Sequence, residues 1–433
     1  MSGPRLPVKG TPKDQLLNRM QELKNKDIRW QEGKAFSLVF HGKEEMTEVI
    51  KEAYNLFFSE NALNPSAFPS LKKFENDVVS IMSYHLGSRG EVCGSLTSGG
   101  TESILMAVKT AREWAKKEKG VTKPKMIIPI SAHPAFDKAA HYFGIDLVKI
   151  ALREDYRVDV EKMRKSIDDQ TILLVGSAPQ YPQGVIDPIE EVAALAKSHH
   201  ILCHVDACVG GVLLPFYRKL GSELPGFDFQ VDGVTSMSAD LHKYAYAAKG
   251  ASVVLHKNKN LRKHQFFVTT DWPGGMYGSP SVLGTRPGGP IAAAWAILNY
   301  LGEEGYKDVV GTIRDTAYEF AERIEKMPGV NLAVKPDMSV MCLTSKDKDI
   351  YQIGDGMTQR GWHMDRQQNP SSLHMTVNYA HSKVKDLFFK DLEASIAEAS
   401  SFGAKMSGFK TNMAKGMMKA LPKKVVSRLV EKE

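Results

Sequence analysis

The chain has 433 residues, 42% of them hydrophobic and 25% charged, with a formal net charge of +7. This balance excludes a mostly disordered chain and leaves room for one large domain and a smaller one, each with its own core. Lysines are interleaved with glutamates and no arginine-rich block occurs, so the charge suits small anionic ligands and argues against nucleic acid as a partner.

Four cysteines, Cys93, Cys203, Cys208 and Cys342, are too few and too scattered for a disulfide framework, which points to a reducing compartment. No run approaches the roughly 20 apolar residues that span a bilayer. The opening MSGPRLPVKG has no signal-peptide core. The expectation is a soluble, cytoplasmic protein without a transmembrane anchor, with peripheral membrane contact left open.

Residues 1–60 predict a helical arm. One helix centres on Leu16, Leu17, Met20 and Leu23, and a second carries Met46, Val49, Ile50, Ala53, Tyr54 and Phe57 on one side. Neither can bury its stripe alone, so the arm must lie on the main body or on a partner subunit. Residues 61–300 alternate helix with short apolar runs: KMIIPI, DLVKIA, TILLVGS, ILCHVDA, DGVTSM and ASVVLH. Such runs suit strands buried on both faces. Helices are expected at 100–118, 134–143 and 187–199, the last with Asp187 as N-cap, Pro188 first in the helix and Glu190 in the capping-box position. This alternation argues for a large α/β domain with a parallel sheet covered on both sides. Residues 301–433 read as a small α+β domain. A long helix near 289–327 leads into SVMCLTS, a helix at 349–360, LHMTVNY and a helix at 383–402. The Lys- and Met-rich tail from 403 fits a loose amphipathic helix.

Ligands of open parallel sheets bind beyond the carboxyl ends of the strands. Thr97-Ser98-Gly99-Gly100-Thr101-Glu102 stands directly before a helix, where small residues and free N–H groups make a phosphate cradle. His133 follows KMIIPIS. Asp206 ends ILCHVD, and a carboxylate there requires a cation. Ser238, Asp240, His242 and Lys243 follow DGVTSM. Cys203, His204, Asp206 and Cys208 lie close together, but in a buried-strand run and without a second ligand pair at zinc spacing, so no metal is expected. Taken singly, these features are a glycine turn, a structural histidine and a surface lysine. Together, in this order, they fit pyridoxal 5′-phosphate (PLP), which needs a helix start for its phosphate, a flat lid, a carboxylate at its ring nitrogen and a lysine for its aldehyde. Lys243 is the expected Schiff-base lysine, with a pKa depressed by partial desolvation in a cationic pocket.

TSGGTESI, SAHPAFDKAA, HVDACVGG, SADLHKY and GTRPGG resemble blocks of the group II PLP-dependent decarboxylase superfamily. NALNPSAFPSLKKFENDVV, APQYPQGVIDPIEEVAALA and SADLHKYAYAAKG are similar to its sphingosine-1-phosphate lyase branch, over about residues 30 to 400. The resemblance implies a PLP-dependent transferase-like fold (fold type I) with a mainly parallel seven-stranded sheet. It implies that Asp206 pairs with the ring nitrogen, that His133 stacks on the ring, and that Ser98, Gly99, Gly100 and Thr101 hold the phosphate with His242. Ser238 belongs to the same cofactor set. Gly284 and Thr285, in the loop that continues through Arg286 and Gly288, match the segment lent to a neighbouring subunit, which implies an obligate homodimer with shared sites.

Phe40, Asn61, Asn64, Tyr244, Tyr246 and Lys249 match substrate positions by the same resemblance. Two of them depart from the family, which has tyrosine at Phe40 and histidine at Asn64; His41 is the neighbour that could substitute. The implied activity, in sphingolipid metabolism, is a retro-aldol cleavage of the C2–C3 bond of a phosphorylated long-chain base to an aldehyde and phosphoethanolamine. Tyr181, Lys249 and the cofactor phosphate through water remain candidates for the base. The alternative is an amino-acid decarboxylase on the same fold, which would need a cation aimed at a substrate carboxylate. A silent scaffold or lipid-binding module is disfavoured by intact Lys243, Asp206 and His133.

Overall fold

The computed structural model describes residue 3 and residues 5–399. The tail from 403, read as a loose amphipathic helix, lies outside the described residues. Seven strands form the central sheet: β1 (Cys93–Thr97), β2 (Lys125–Pro129), β3 (Asp146–Ile150), β4 (Thr171–Ser177), β5 (Leu202–Asp206), β6 (Ser236–Asp240) and β7 (Ser252–His256). Their order is β1-β7-β6-β5-β4-β2-β3. Only β7 runs antiparallel to its neighbours, so the sheet is mainly parallel, as expected. β4 to β7 are buried throughout, which accounts for the unbroken apolar run of TILLVGS. β6 is also buried but reads SMSAD, and its polar residues belong to the site described below.

Four early helices are α1 (Lys13–Lys24), α2 (Glu44–Leu56), α3 (Pro69–His85) and α4 (Gly100–Lys119). On one face of the sheet, Met126 and Ile128 of β2 share a core with Ile104 and Val108 of α4. On the other, Ile127 packs in a core that includes Leu71 and Val78 of α3 and Val192. α2 lies on the long helix Gly288–Glu325, with the Tyr54 ring over Gly289 and Lys43 paired to Asp308 at 2.8 Å. α1 buries none of its residues, so its leucine stripe is uncovered in the single chain. Among the described residues no helix is long and apolar enough to cross a membrane.

A hairpin of β8 (Phe267–Thr269) and β9 (Tyr277–Ser279) follows the main sheet. The long helix then breaks at Gly302, whose φ of 56° no L-residue adopts easily. Its second half carries Ala317, Phe320 and Ile324 into a second core. That core backs an antiparallel sheet of β10 (Asn331–Leu332), β11 (Val340–Thr344), β12 (Arg366–Gln367) and β13 (Ser372–Thr376), in the order β10-β11-β13-β12. Phe36 belongs to this second core: its amide donates to the His363 carbonyl at 3.0 Å, and its ring stacks on His381. The chain between α1 and α2 is thereby tied to the C-terminal sheet.

Two local readings are corrected. DGVTSM is not the strand: Asp232 and Gly233 lie in a turn, with Gly233 at φ 102°, and β6 begins at Ser236, which brings Asp240 to its end. Asp187 is not an N-cap, because the helix starts at Ile189 after Pro188. Its fully buried carboxylate instead accepts the amides of Ser177 and Val158 at 2.9 and 3.0 Å, closing the end of β4. Burial pushes its pKa up to about 6 against the pull of those two bonds.

Candidate active site

The carboxyl ends of β1, β2, β4, β5 and β6 open on one cavity of ≈ 510 Å³. Its floor holds Asp206, Asp240 and Lys243; the Ser98–Thr101 turn, His133 and His242 lie beside them, and Tyr181, Phe40 and Lys249 complete the wall.

Lys243 Nζ lies 2.8 Å from Asp240 Oδ2. Burial opposes the ammonium's charge, but Asp240, then Cys208 and Asp206, outweigh it and raise its pKa above the ordinary lysine value. Burial likewise acts to raise the Asp240 carboxyl, and Lys243 and then His242 hold it below the usual range. The depressed pKa expected at Lys243 is thus reversed, because an opposite charge in hydrogen-bond contact outweighs desolvation. The depressed lysine is Lys249. Burial and the Lys243 charge lower it to about 8, with Asp240 opposing. Its Nζ donates to the His242 carbonyl at 2.9 Å and stands 5.4 Å from the Phe40 ring centre.

Asp206 Oδ1 accepts the Cys208 amide at 3.0 Å and the Ser238 hydroxyl at 3.1 Å. The parallel pairing of β5 with β6 sets Ser238 opposite Asp206, so the serine acts through the aspartate and does not line the cavity. Ser238 gives its one proton to Asp206, so His204 Nε2, 3.2 Å away, must donate to the serine. Burial lowers the His204 pKa to about 4, which keeps the ring neutral, with Asp206 opposing. A histidine that looked metal-like in the sequence is therefore a link in the support of Asp206. His133 Nδ1 accepts the Ala135 amide at 3.1 Å, which leaves Nε2 to carry the ring's N–H.

At the cradle, a Cβ on Gly100 would stand 2.8 Å from both Asp240 carboxylate oxygens, so only glycine lets the helix start approach the floor. α4's first N–H groups have no intrahelical acceptors. Ser98 is a correction: its amide and hydroxyl both donate to Glu102 Oε2 at 2.7 Å, so neither is directed to a ligand. Glu102 Oε1 accepts the Val282 amide at 2.8 Å and ties the cradle to the chain leading into GTRPGG. His242 packs beside Gly99, and burial lowers its pKa despite Asp240.

Several expected substrate residues lie elsewhere. Tyr244 is fully buried behind the wall, with its hydroxyl on the Val377 carbonyl at 2.7 Å and on Ser339 at 2.6 Å. It reaches the site through Phe40, whose ring it meets edge-on at 4.8 Å. Tyr246 is buried in the same core at φ 62° and does not line the cavity. His41 packs edge-on against Trp30 and does not replace the missing tyrosine hydroxyl at the wall. Asn61, Asn64, Gly284 and Thr285 do not line this chain's cavity either, and two of them, Asn61 and Thr285, share one cluster with Arg286. The Asn61 amide donates to the Thr285 hydroxyl at 3.4 Å, Asn61 bridges Pro287, and Arg286 pairs with Glu75 and donates to the Ala62 carbonyl at 2.8 Å. Asn64 Oδ1 closes its own turn by accepting the Ser66 amide at 2.9 Å.

Glu102, Asp365 and the pairing role of Asp240 were missed in the sequence. Glu102 carried a signal, as a carboxylate at the third position of α4 after a serine. Asp365 carried none, since its partner Tyr181 is 184 residues away.

The donor set fits PLP. Gly100 leaves room at a helix start, a braced carboxylate and a lysine share the floor, and a histidine with a defined proton stands beside them. The pyridoxal-dependent decarboxylase conserved domain matches residues 4–346. A sphingosine-1-phosphate lyase of Oryza sativa subsp. japonica is 44% identical over 403 residues, 91% of this chain and 75% of that protein. Sphingosine-1-phosphate lyase 1 of Rattus norvegicus is 45% identical over 396 residues, 91% of this chain and 70% of that protein. The solved structure of a Burkholderia pseudomallei sphingosine-1-phosphate lyase, 38% identical, matches with a TM-score of 0.89 over 96% of this chain and 97% of that one.

Proposed function

The chain belongs to the pyridoxal-dependent decarboxylase family, and from that premise we propose that it is a PLP-dependent lyase that cleaves the C2–C3 bond of a phosphorylated long-chain base such as sphingosine 1-phosphate. The products are a long-chain aldehyde and phosphoethanolamine. The observation that carries this reading is the convergence of Lys243, Asp206, His133, Lys249 and Tyr181 on one cavity in a chain so similar to known lyases.

PLP bound there supplies an aldehyde that a substrate amine can take over from Lys243 and a ring that accommodates the electron pair left at C2. Asp206, fixed by Ser238 and the Cys208 amide, would hold a proton at the ring nitrogen. His133 would cover the ring, and the first N–H groups of α4 would receive the phosphate. Lys243 takes up the proton given by the substrate ammonium, keeps it beside Asp240, and delivers it to C2 after cleavage. Lys249 removes the proton from the C3 hydroxyl, because a lysine with a pKa of about 8 is partly neutral near that pH. One cavity thus holds two lysines pushed in opposite directions, one as acid and one as base.

The cluster of Asn61, Thr285 and Arg286, with Asn64 nearby, serves the cavity of a second copy of this chain. Supporting this, the adjoining hairpin region leaves Trp272 55% and Met276 79% exposed. The test is mass spectrometry of products after incubation with a phosphorylated long-chain base, its unphosphorylated form and a panel of amino acids. Aldehyde and phosphoethanolamine from the first are expected. Carbon dioxide from an amino acid, with neither base cleaved, would replace the lyase reading by the decarboxylase.

A further inference from the structure

One wall of the cavity contains a three-residue chain that joins the two sheets. Tyr181, beyond β4, donates its hydroxyl proton to Asp365 Oδ2 at 3.0 Å. Its ring stacks on His374 of β13, with centres 3.9 Å apart and 19° between planes. Asp365 directly precedes β12, its carbonyl accepts the His374 amide at 2.8 Å, and its Oδ1 stands 3.3 Å from His363 Nε2. His363 is itself fastened to the segment carrying the cavity residues Ser37 and Phe40, through its amide to the Lys34 carbonyl and its carbonyl to the Phe36 amide.

We propose that Asp365 is a positioning residue for the cleavage: braced by His363, it takes the hydroxyl proton of Tyr181 as a hydrogen bond and so turns the phenol oxygen into a fixed acceptor for a hydroxyl or ammonium group of the substrate. A phenol has one proton to donate. With that proton directed at Asp365, the oxygen offers the cavity only lone pairs. It does not serve as the base, since a phenolate there would face a carboxylate in hydrogen-bond contact.

The charges around the pair agree with this. Burial first, and then Asp365, raise the Tyr181 pKa above the ordinary phenol value. His363 contributes most to holding the Asp365 carboxyl well below its usual range, against burial, and Asp365 in turn raises the His363 pKa. The stacked His374 is kept neutral by burial, which lowers its pKa to about 3; Asp365 opposes this and the Lys243 charge reinforces it. Tyr181 therefore has one charged neighbour in direct contact, Asp365.

The substrate side of this proposal rests on the lyase reading, whereas the state of the phenol can be measured without turnover. Holoenzyme labelled with 3-fluorotyrosine, its Tyr181 signal assigned by Tyr181→Phe, is titrated by fluorine NMR. Tyr181 should titrate above free fluorotyrosine, and Asp365→Asn should bring it back toward the free value. In steady-state cleavage, Asp365→Asn should lower kcat/KM on the order of tenfold, the scale of one hydrogen bond to a charged group. His363→Gln should act in the same direction by about two- to threefold, the scale of a weak, half-buried ion pair. On a Tyr181→Phe background, Asp365→Asn should cost nothing further. A Tyr181 titration that Asp365→Asn leaves unmoved, or losses that add, would overturn the proposal. An enzyme with no lyase turnover but the expected fluorine shifts would overturn the lyase reading and leave the Asp365–Tyr181 coupling standing.

Discussion

At the floor of the cavity Lys243 faces the Asp240 carboxylate at 2.8 Å, whereas at the rim, six residues later, Lys249 meets a backbone carbonyl and the face of Phe40. The floor is made by the ends of strands that pair in the sheet, so its charges are placed opposite one another and compensated. The rim is made by segments from different parts of the chain, and its charge is left partly desolvated without a matching anion. The same side-chain chemistry is thereby held charged at one place and eased toward neutrality at the other. Catalysis by proton transfer needs both states at once, and the contrast between floor and rim supplies them.

The largest effect should come from the floor. Lys243→Ala removes both the lysine that holds the cofactor aldehyde and the proton delivered to C2, and activity should fall by more than about 10⁴-fold. Borohydride treatment of wild type should fix the cofactor to the peptide containing Lys243. Mapping of the label to Lys249 instead would exchange the roles of the two regions. Asp206→Asn should follow, with kcat reduced on the order of 10²–10³-fold, the scale of losing a preorganised electrostatic partner. Cofactor retention should be nearly unchanged, since α4 and Lys243 are untouched. Near-normal turnover in this variant would exclude Asp206 from the ring nitrogen.

The rim predicts a pH dependence. A base must be neutral, so kcat/KM should rise with pH and level off above about 8 as Lys249 loses its proton. Lys249→Met should remove this limb and lower the plateau by about 10²-fold. Lys249→Arg, which stays charged, should be no better. A limb that survives in Lys249→Met would assign the base elsewhere and leave the rim lysine as a partner for the substrate phosphate.

The same division explains what could be read from the chain alone. Strand ends are local: KMIIPI, TILLVGS and ILCHVDA are apolar runs that stop at a polar residue, so His133 and Asp206 stood out at their ends, and Lys243 stood in a short polar stretch. Where a local signal had two meanings, the reading slipped. Asp187 before proline looks like a cap but closes β4, and DGV looks like a strand but forms a turn. Contacts across the chain were invisible. Nothing near Tyr181 indicates Asp365, and nothing near Phe36 indicates its place beside His363 and His381. Tyr244 and Tyr246 sit next to the lysine in sequence, yet they point into the core because the chain after β6 turns sharply inward.

The smallest expected effect separates the two family departures, which the sequence alone treats as equivalent. Phe40 lines this chain's cavity, with its ring under Lys249 and against Tyr244. Phe40→Tyr keeps that ring and adds a hydroxyl at the wall. A neutral hydrogen bond of about 0.5–1.5 kcal/mol to the phosphorylated base corresponds to a KM lowered about two- to tenfold with kcat unchanged. Asn64 lies off this cavity and closes its own turn onto the Ser66 amide. Asn64→His removes that closure, so a small loss of thermal stability should accompany any gain in affinity. If the cluster of Asn61, Thr285 and Arg286, with Asn64 beside it, serves a second copy, the gain must appear in the neighbour's site. Hybrid dimers carrying Lys243→Ala in one chain leave one working site and distinguish the cases. Phe40→Tyr should lower KM only when placed in the chain with intact Lys243, and Asn64→His only when placed in the chain that lacks it. If both substitutions act in the same chain as the intact lysine, each site is built by a single chain and the shared-site reading fails.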